Sequence, residues 1–412
     1  MPPEYCLLSD IADIIVGFPF ESEQFNTDEK GVKLVRGMNV TTGNFRWGED
    51  SRWWSNLTPD LEPYYLRTDD IIIGMDGSRV GKNYAKVQES DLPLLLVQRV
   101  ACIRAKEGIN QNYLWACIAS ASFEEYIDLV KTGTTIPHIS GRQIGEFPVP
   151  KLDQNVQNII GDISRLLDSK IYLNQKINDN LLTIRNEIFN NWVNLHTAGE
   201  IVSSVANNGF VSLDEMCSTV TDGSHFSPES DENGTHAMFS VKDMEIHGFN
   251  RKNCKMIGDE SFEKMKSSGC VPQVDDVLIA KDGSYLKQLF LVNEPMDDAI
   301  LSSIAIFRPN QAVIYPEILL AYLQSTIVYN YVKDNYVSGS AVPRIVLKSF
   351  KQLHIALPEL SIQKEIIDSM RTIRFLIESN SKLVVQLECI RDYLLPKLMS
   401  GEIDVSTLEM PN

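Results

Sequence analysis

Asp69-Asp70-Ile71-Ile72-Ile73-Gly74-Met75-Asp76-Gly77-Ser78 returns, 206 residues later, as Asp275-Asp276-Val277-Leu278-Ile279-Ala280-Lys281-Asp282-Gly283-Ser284. Each copy reads as an acidic turn, an apolar run of strand length and an Asp-Gly-Ser turn. The same offset carries Gly133-Thr134-Thr135-Ile136-Pro137-His138-Ile139 onto Gly339-Ser340-Ala341-Val342-Pro343-Arg344-Ile345, and Ile184-Arg185 onto Ile390-Arg391. Three separated matches in one register indicate a duplicated unit the size of a domain plus a helix. Such a chain is suited to gripping two copies of something.

The 412 residues, 43% hydrophobic, are enough to bury two ordinary cores. No run of ~18 apolar residues is available to span a bilayer. The opening Met1-Pro2-Pro3-Glu4 has neither the basic nor the apolar part of a signal peptide, so a cytoplasmic location without membrane contact is expected. Cys6, Cys102, Cys117, Cys217, Cys254, Cys270 and Cys389 form no CxxC pair and do not recur between the halves. Reduced thiols are therefore expected, with neither a disulfide framework nor a metal site. The formal net charge of -17 argues against a stand-alone nucleic-acid binder, which needs clustered Lys and Arg.

Residues 1–152 and 210–358 read as mixed units of short β-rich runs, such as Val32-Lys33-Leu34-Val35-Arg36 and Leu94-Leu95-Leu96-Val97, with helices predicted over 111–129 and 314–332. The texture then changes. Residues 155–192 contain no Pro and a single Gly, and residues 361–395 contain neither, as long helices require. Pro150 and Pro358 precede them, and Pro396 with Gly401 is expected to end the second. The predicted organisation is a domain over 1–152, a spacer helix over 153–196, a linker over 197–209, a second domain over 210–358, and a second spacer helix with a tail over 359–412.

The two helices carry a 3-4 apolar spacing position for position: Ile160 with Ile366, Leu167 with Ile373, Ile177 with Leu383, Leu181 with Leu387, Ile184 with Ile390 and Ile188 with Leu394. This predicts a heptad seam with one polar position, Asn174 and Asn380, which an antiparallel pairing would bring together. Two solvent-exposed asparagines on an irregular helix is the competing reading. The expected fold class is α+β, with two similar globular domains separated by a long two-helix antiparallel coiled coil in pseudo-twofold symmetry. A twofold object suits B-DNA.

In this order the motifs resemble the specificity subunit of type I restriction-modification systems over essentially the whole length. Gly17-Phe18-Pro19-Phe20, then Gly31-Val32-Lys33-Leu34-Val35-Arg36-Gly37-Met38-Asn39-Val40, looks like the opening of a first target-recognition domain, and Asp222-Gly223-Ser224-His225-Phe226-Ser227-Pro228 like a variant opening of the second. Pro150-Lys151-Leu152 with Gln157, and Pro358-Glu359-Leu360 with Gln363, resemble the entries to the spacer helices. Leu394-Leu395-Pro396-Lys397-Leu398-Met399-Ser400-Gly401-Glu402-Ile403 resembles the exit. The resemblance implies a non-catalytic subunit that reads a bipartite site on double-stranded DNA and docks two methyltransferase subunits and motor-nuclease subunits. It implies no cofactor on this chain, with S-adenosylmethionine, magnesium and ATP expected only on the partners. The halves depart from one another, with Leu301-Ser302-Ser303-Ile304 against Val97-Gln98-Arg99-Val100 and Lys287 without the Gly-Lys pair of Gly81-Lys82. An asymmetric target is therefore expected.

Base reading needs Arg, Lys, Asn or Gln on a loop that enters a groove. Arg79, Lys82 and Asn83 are the first candidates, with Ser284, Tyr285, Lys287 and Gln288 at the matching loop, followed by His138, Arg142, Gln143 and Arg344. Arg99 and Lys348 join them in basic stretches that also hold Lys86, Arg104 and Lys106 in the first copy and Lys333 and Lys351 in the second. The basic stretches are equally compatible with a solvated strand face, and the Pro137 and Pro343 loops with plain sharp turns. Enzyme readings lack their residues: Gly77-Ser78-Arg79-Val80-Gly81-Lys82-Asn83 has the wrong spacing for a phosphate loop and Asn where Ser or Thr should stand. HExxH and GxSxG are both missing. Asp69-Asp70 and Asp275-Asp276 read as turns before strands rather than as a metal site. The alternative from another class is a scaffolding coiled-coil protein whose duplicated α+β units bind proteins instead of DNA.

Overall fold

The computed structural model describes residues 3–133, 136–197, 199–203, 209–246, 248–251, 254–283, 288–338 and 344–406. Two compact units emerge, one of residues 1–173 with 384–412 and the other of residues 174–383. Both are α+β, and their sheets correspond. The first unit pairs Ala12–Val16, Val100–Ala105, Ile71–Gly74 and Tyr84–Lys86 in that order, with Thr42–Gly43 added at the edge. The second pairs Cys217–Asp222, Ile304–Pro309, Val277–Ala280 and Leu289–Leu291 in the same way. A three-stranded sheet around Val32–Val35 matches one around His236–Phe239. The expected linker contributes a strand, Val202–Ser203, paired with His354–Ala356.

The repeated acidic pairs have a structural purpose. Asp69 and Asp275 adopt the left-handed backbone conformation, with φ of 68° and 72°, that Asp tolerates in turns. The turn aims the next carboxylate inward. Asp70 and Asp276 are buried, each gripped by two nitrogens of an arginine on the neighbouring strand, Arg104 at 2.8 and 2.6 Å and Arg308 at 2.8 and 2.9 Å. Gly17 and Gly223 are required for another reason: a Cβ there would sit 2.2 Å from the Val97 carbonyl oxygen and 2.4 Å from that of Ile300.

Each helix predicted near the end of a unit is two. Residues 111–129 resolve into Gln111–Ile118 and Ala121–Val130, and residues 314–332 into Pro316–Gln324 and Thr326–Asn335. Ser120 and Ser325 cause the breaks, since their hydroxyls cap the second helix by accepting from the amides of Phe123 and Val328. The long helices run over Gln154–Thr197 and Leu360–Met399, so Pro396 lies inside the second instead of ending it, and Gly401, with φ of 74°, follows. Buried Gln157 and Gln363 anchor the helix starts: each side chain donates to a carbonyl just upstream, of Leu152 or Pro358, and accepts an amide of the domain, from Asn110 or Tyr315.

Within each unit the two helix segments run antiparallel. In the first, Asp168 meets Arg391 at 3.2 Å, and Ile159 and Ile160 share a core with Leu398 and Met399. In the second, Asn178 bonds Ser381, while Trp192 bonds the Ile362 carbonyl and His196 meets Glu365. Of the fourteen predicted seam positions, eleven are buried or half-buried and three are exposed. Ile160, Leu167, Leu181, Ile188, Ile366, Ile373, Leu387 and Leu394 are buried or half-buried, as are Asn174 and Asn380. Ile177, Ile184 and Ile390 are 46, 47 and 49% exposed and Leu383 is half-buried. The inward positions alternating with the first set are one residue later, about 100° further round the helix: Ser164, Ile171, Asn178 and Arg185, repeated as Met370, Ile377, Val384 and Arg391. Several are polar, so the apolar neighbours misled the reading.

Asn178, 9% exposed, rather than the predicted Asn pair, is the most buried asparagine of the long helices. Its Nδ2 donates to Ser381 Oγ at 3.1 Å, while Oδ1 has no partner among the described residues. Asn178→Leu is expected to raise stability by about 1 kcal/mol, because a buried polar atom without a partner is removed. A lower unfolding midpoint in calorimetry overturns that expectation. Among the described residues no helix is long and apolar enough to cross a membrane.

Candidate nucleic-acid interface

In the first unit, three loops close at the end of strand Ile71–Gly74. The Met75 amide donates to the Arg99 carbonyl at 3.0 Å, the Ile139 amide to the Met75 carbonyl at 2.9 Å, and the Gly77 amide to the Pro137 carbonyl at 3.0 Å. This lacing sets Asp76 between Arg99, at 2.8 Å, and His138, at 3.8 Å. Arg99 is 73% exposed and has a φ of 66°, a conformation that costs a side-chain-bearing residue about 1 kcal/mol or more. Its backbone is held there by the loop on either side, and its guanidinium is held by Asp76. The Arg79 guanidinium donates to Thr42 Oγ1 at 3.0 Å, and exposed Lys82 lies 3.4 Å from Glu124. Half-buried Asn83 uses its carbonyl to receive the Gly74 amide at 2.9 Å.

The second unit builds the corresponding hub from other residues. Lys281 takes the place of Met75, its amide donating to the Ser303 carbonyl at 2.9 Å and its carbonyl receiving the Ile345 amide at 3.0 Å. Arg344 stands where His138 does and meets Asp282 at 3.2 Å. The cation that Arg99 supplies in the first unit has no counterpart at Ser303. A buried ammonium replaces it: Lys281, 2% exposed, lies 2.7 Å from Asp222, with His225 3.8 Å from the same carboxylate. Gln288 receives the Ala280 amide at its carbonyl, as Asn83 does for Gly74. Ser284, Tyr285 and Lys287 lie outside the described residues.

The remaining candidates sit apart from these hubs. Arg142 pairs with Glu146 at 2.8 Å beside an open groove lined by Asp13, Val16 and Lys106, and exposed Lys348 holds the matching position in the other unit. The Gln143 amide is committed to structure, accepting from Ser140 and donating to the Val130 carbonyl. Several basic residues of the charged stretches are ties as well. Arg104 holds Asp70, the Lys106 ammonium donates to the Ser9 carbonyl, and Lys351 lies near Asp214. Lys86 reaches Asn112 over the Trp115 ring, and burial pulls its pKa down.

A surface that sequence reasoning overlooked lies on the three-stranded sheet of the first unit. Lys33 sits 4.9 Å from the Trp47 ring and 5.6 Å from Trp53, Phe45 stacks on Trp47, and Arg36 lies over Phe25. Exposed Arg46 and half-buried Arg52 stand in the same stretch of chain. The alternation of basic and aromatic residues over 33–53 was the available signal. Among the described residues, no group of three or more His, Cys, Asp or Glu could hold a metal ion.

Two corresponding mixed-sheet units, each with a loop hub in which basic side chains meet carboxylates and each followed by a long helix, make a modular, duplicated chain. The comparisons with known proteins make the class particular. The family described as the type I restriction modification DNA specificity domain matches residues 4–183. The EcoAI specificity subunit of Escherichia coli is 31% identical over 170 residues, 40% of this chain but 28% of that protein's length. The MjaIX specificity subunit of Methanocaldococcus jannaschii is 23% identical over 80% of this chain and 77% of its own. The crystal structure of a type I restriction-modification S subunit from M. genitalium has the same fold, with a TM-score of 0.56 and 16% identity over 97% of this chain and 99% of that one. Residues 4–183 thus carry the type I restriction modification DNA specificity domain, and the relatives and the shared fold together indicate a DNA-recognition subunit of a type I restriction-modification system.

Proposed function

We propose that each unit reads one half of a bipartite, asymmetric target on double-stranded DNA through its loop hub. The observation that carries this reading is the pair of hubs at matching positions with different chemistry: Asp76, Arg99 and His138 in one, Asp222, Lys281, Asp282 and Arg344 in the other. Equal scaffolds with unequal cations favour unequal half-sites. Exchanging residues 1–152 for those of a relative is expected to change one half of the methylated sequence and leave the other intact, as mapped by adenine methylation across a genome. A change in both halves, or in neither, refutes the division.

Two methyltransferase subunits and the motor-nuclease subunits are the proposed partners. Two apolar positions first read as seam suit this docking: Ile177 and Ile184 of the second unit, 46 and 47% exposed, lie one heptad apart on their helix. An acidic chain reads DNA in this scheme because its cations are concentrated in the loops and its partners supply further backbone contacts.

A further inference from the structure

Within the second unit, Arg185 is a nearly buried cation, 9% exposed, that forms no ion pair among the described residues. Its side chain makes one hydrogen bond, from Nη2 to the Asn186 amide oxygen, and its Nε donates to nothing. The duplication shows what is missing. The repeat mate of Arg185 is Arg391, which in the first unit meets the Asp168 carboxylate at 3.2 Å. The repeat mate of Asp168 is Arg374. One half of the gene thus keeps an ion pair where the other has two arginines. The consequence is visible in their acidities: burial alone pushes Arg185 down to about 10, whereas for Arg391 the effect of burial is outweighed by Asp392 and Asp168.

Arg185 and Arg374 line one cavity of about 40 Å³ together with Glu317, Gln324 and Glu378. A water molecule needs roughly 10–15 Å³ by such a measure, so the space accepts a few waters or one tetrahedral ion. Four polar atoms around it have no partner among the described residues: the donors Arg185 Nε and Arg374 Nε, and the acceptors Glu317 Oε2 and Gln324 Oε1. Glu317 is 4% exposed, and its other oxygen already receives Arg371 and Arg374, each at 3.1 Å. Glu378 has its pKa raised, chiefly by burial. With three arginines against two carboxylates, the cluster carries excess positive charge. Arg374 and Glu378, 27 and 25% exposed, stand where solvent can reach it.

We propose that this cavity is a binding site for a small protonated oxyanion, of which hydrogen phosphate is the simplest case. Such an ion supplies the carboxylate-like oxygens that Arg374 cannot offer Arg185. Its hydroxyl donates to Glu317 Oε2 or Gln324 Oε1, which an ion without a proton cannot do. Sulfate should therefore bind more weakly than phosphate.

Calorimetric titration of the full-length chain with inorganic phosphate near pH 7, with sodium sulfate at equal ionic strength as the comparison, tests the site. Wild-type protein is expected to bind one phosphate saturably, with a midpoint of thermal unfolding that rises with phosphate. Arg185→Met should weaken binding at least tenfold while melting no lower than wild type in phosphate-free buffer, since it removes a buried charge that has no partner. Arg374→Gln is the second variant, with weaker phosphate binding expected as well. No saturable heat with the wild-type protein overturns the proposal. So does phosphate binding by Arg185→Met as tight as by wild type, or sulfate binding as tight as phosphate.

Discussion

Arg308→Met is expected to lower the stability of the second unit by about 3–5 kcal/mol, because it strands a carboxylate that water cannot reach. Asp276 is 0% exposed and would keep only the Gln273 amide, at 2.7 Å, in place of a two-pronged arginine. The opposite substitution is milder. Asp276→Leu leaves Arg308, whose side chain is 29% exposed, able to turn toward solvent, and a loss of about 1–3 kcal/mol is expected. In a unit of this size the larger loss corresponds to a fall of roughly 6–20 °C in the midpoint of the affected calorimetric transition. Arg104→Met should behave the same way in the first unit, where Asp70 is 3% exposed. Equal effects of the two Arg308–Asp276 substitutions would show that solvent access does not govern the pair.

That pair also marks how far the sequence could be read. The duplication was plain because it repeats what a fold cannot do without: the turn at Asp69 and Asp275, the strand behind it, and the glutamines at the helix starts. From those residues the α+β class and the two long helices follow. The inward partner of each repeated aspartate was not legible, because Arg104 and Arg308 lie 34 and 32 residues downstream, with nothing local to join them. The helix seam was read one residue out of place at alternate positions. Apolar Ile177 and Ile184 satisfy the heptad as well as Asn178 and Arg185 do, and only packing decides which faces in. Ser120 and Ser325 hid their breaks because a serine interrupts a helix only where its hydroxyl turns back to cap the next one. The hub around Asp76 was partly legible. Its loops were nominated separately, but their lacing by backbone hydrogen bonds is a property of the folded chain.

The replacement of Arg79, Lys82 and Arg99 together by alanine should weaken target binding by the complex assembled with its methyltransferase about a hundredfold, if each cation contributes about 1 kcal/mol. These side chains are exposed, and their present partners are few: a hydroxyl for Arg79, Glu124 for Lys82 and Asp76 for Arg99. Removing them therefore costs the fold little, and circular dichroism should be unchanged. The salt dependence separates the two ways they can act. If all three face phosphates, the slope of log affinity against log salt falls by roughly 2.7, about 0.9 for each lost contact, and every sequence is weakened alike. If Arg99, held in place by Asp76 and by its own constrained backbone, reads a base, Arg99→Ala alone changes the slope little and relaxes preference at one position of one half-site, by about 1–3 kcal/mol. The same substitution at Arg344 should act on the other half-site. Fluorescence anisotropy on duplexes mutated one position at a time distinguishes these outcomes, and unchanged affinity and slope in the triple variant would remove the hub from the DNA surface altogether.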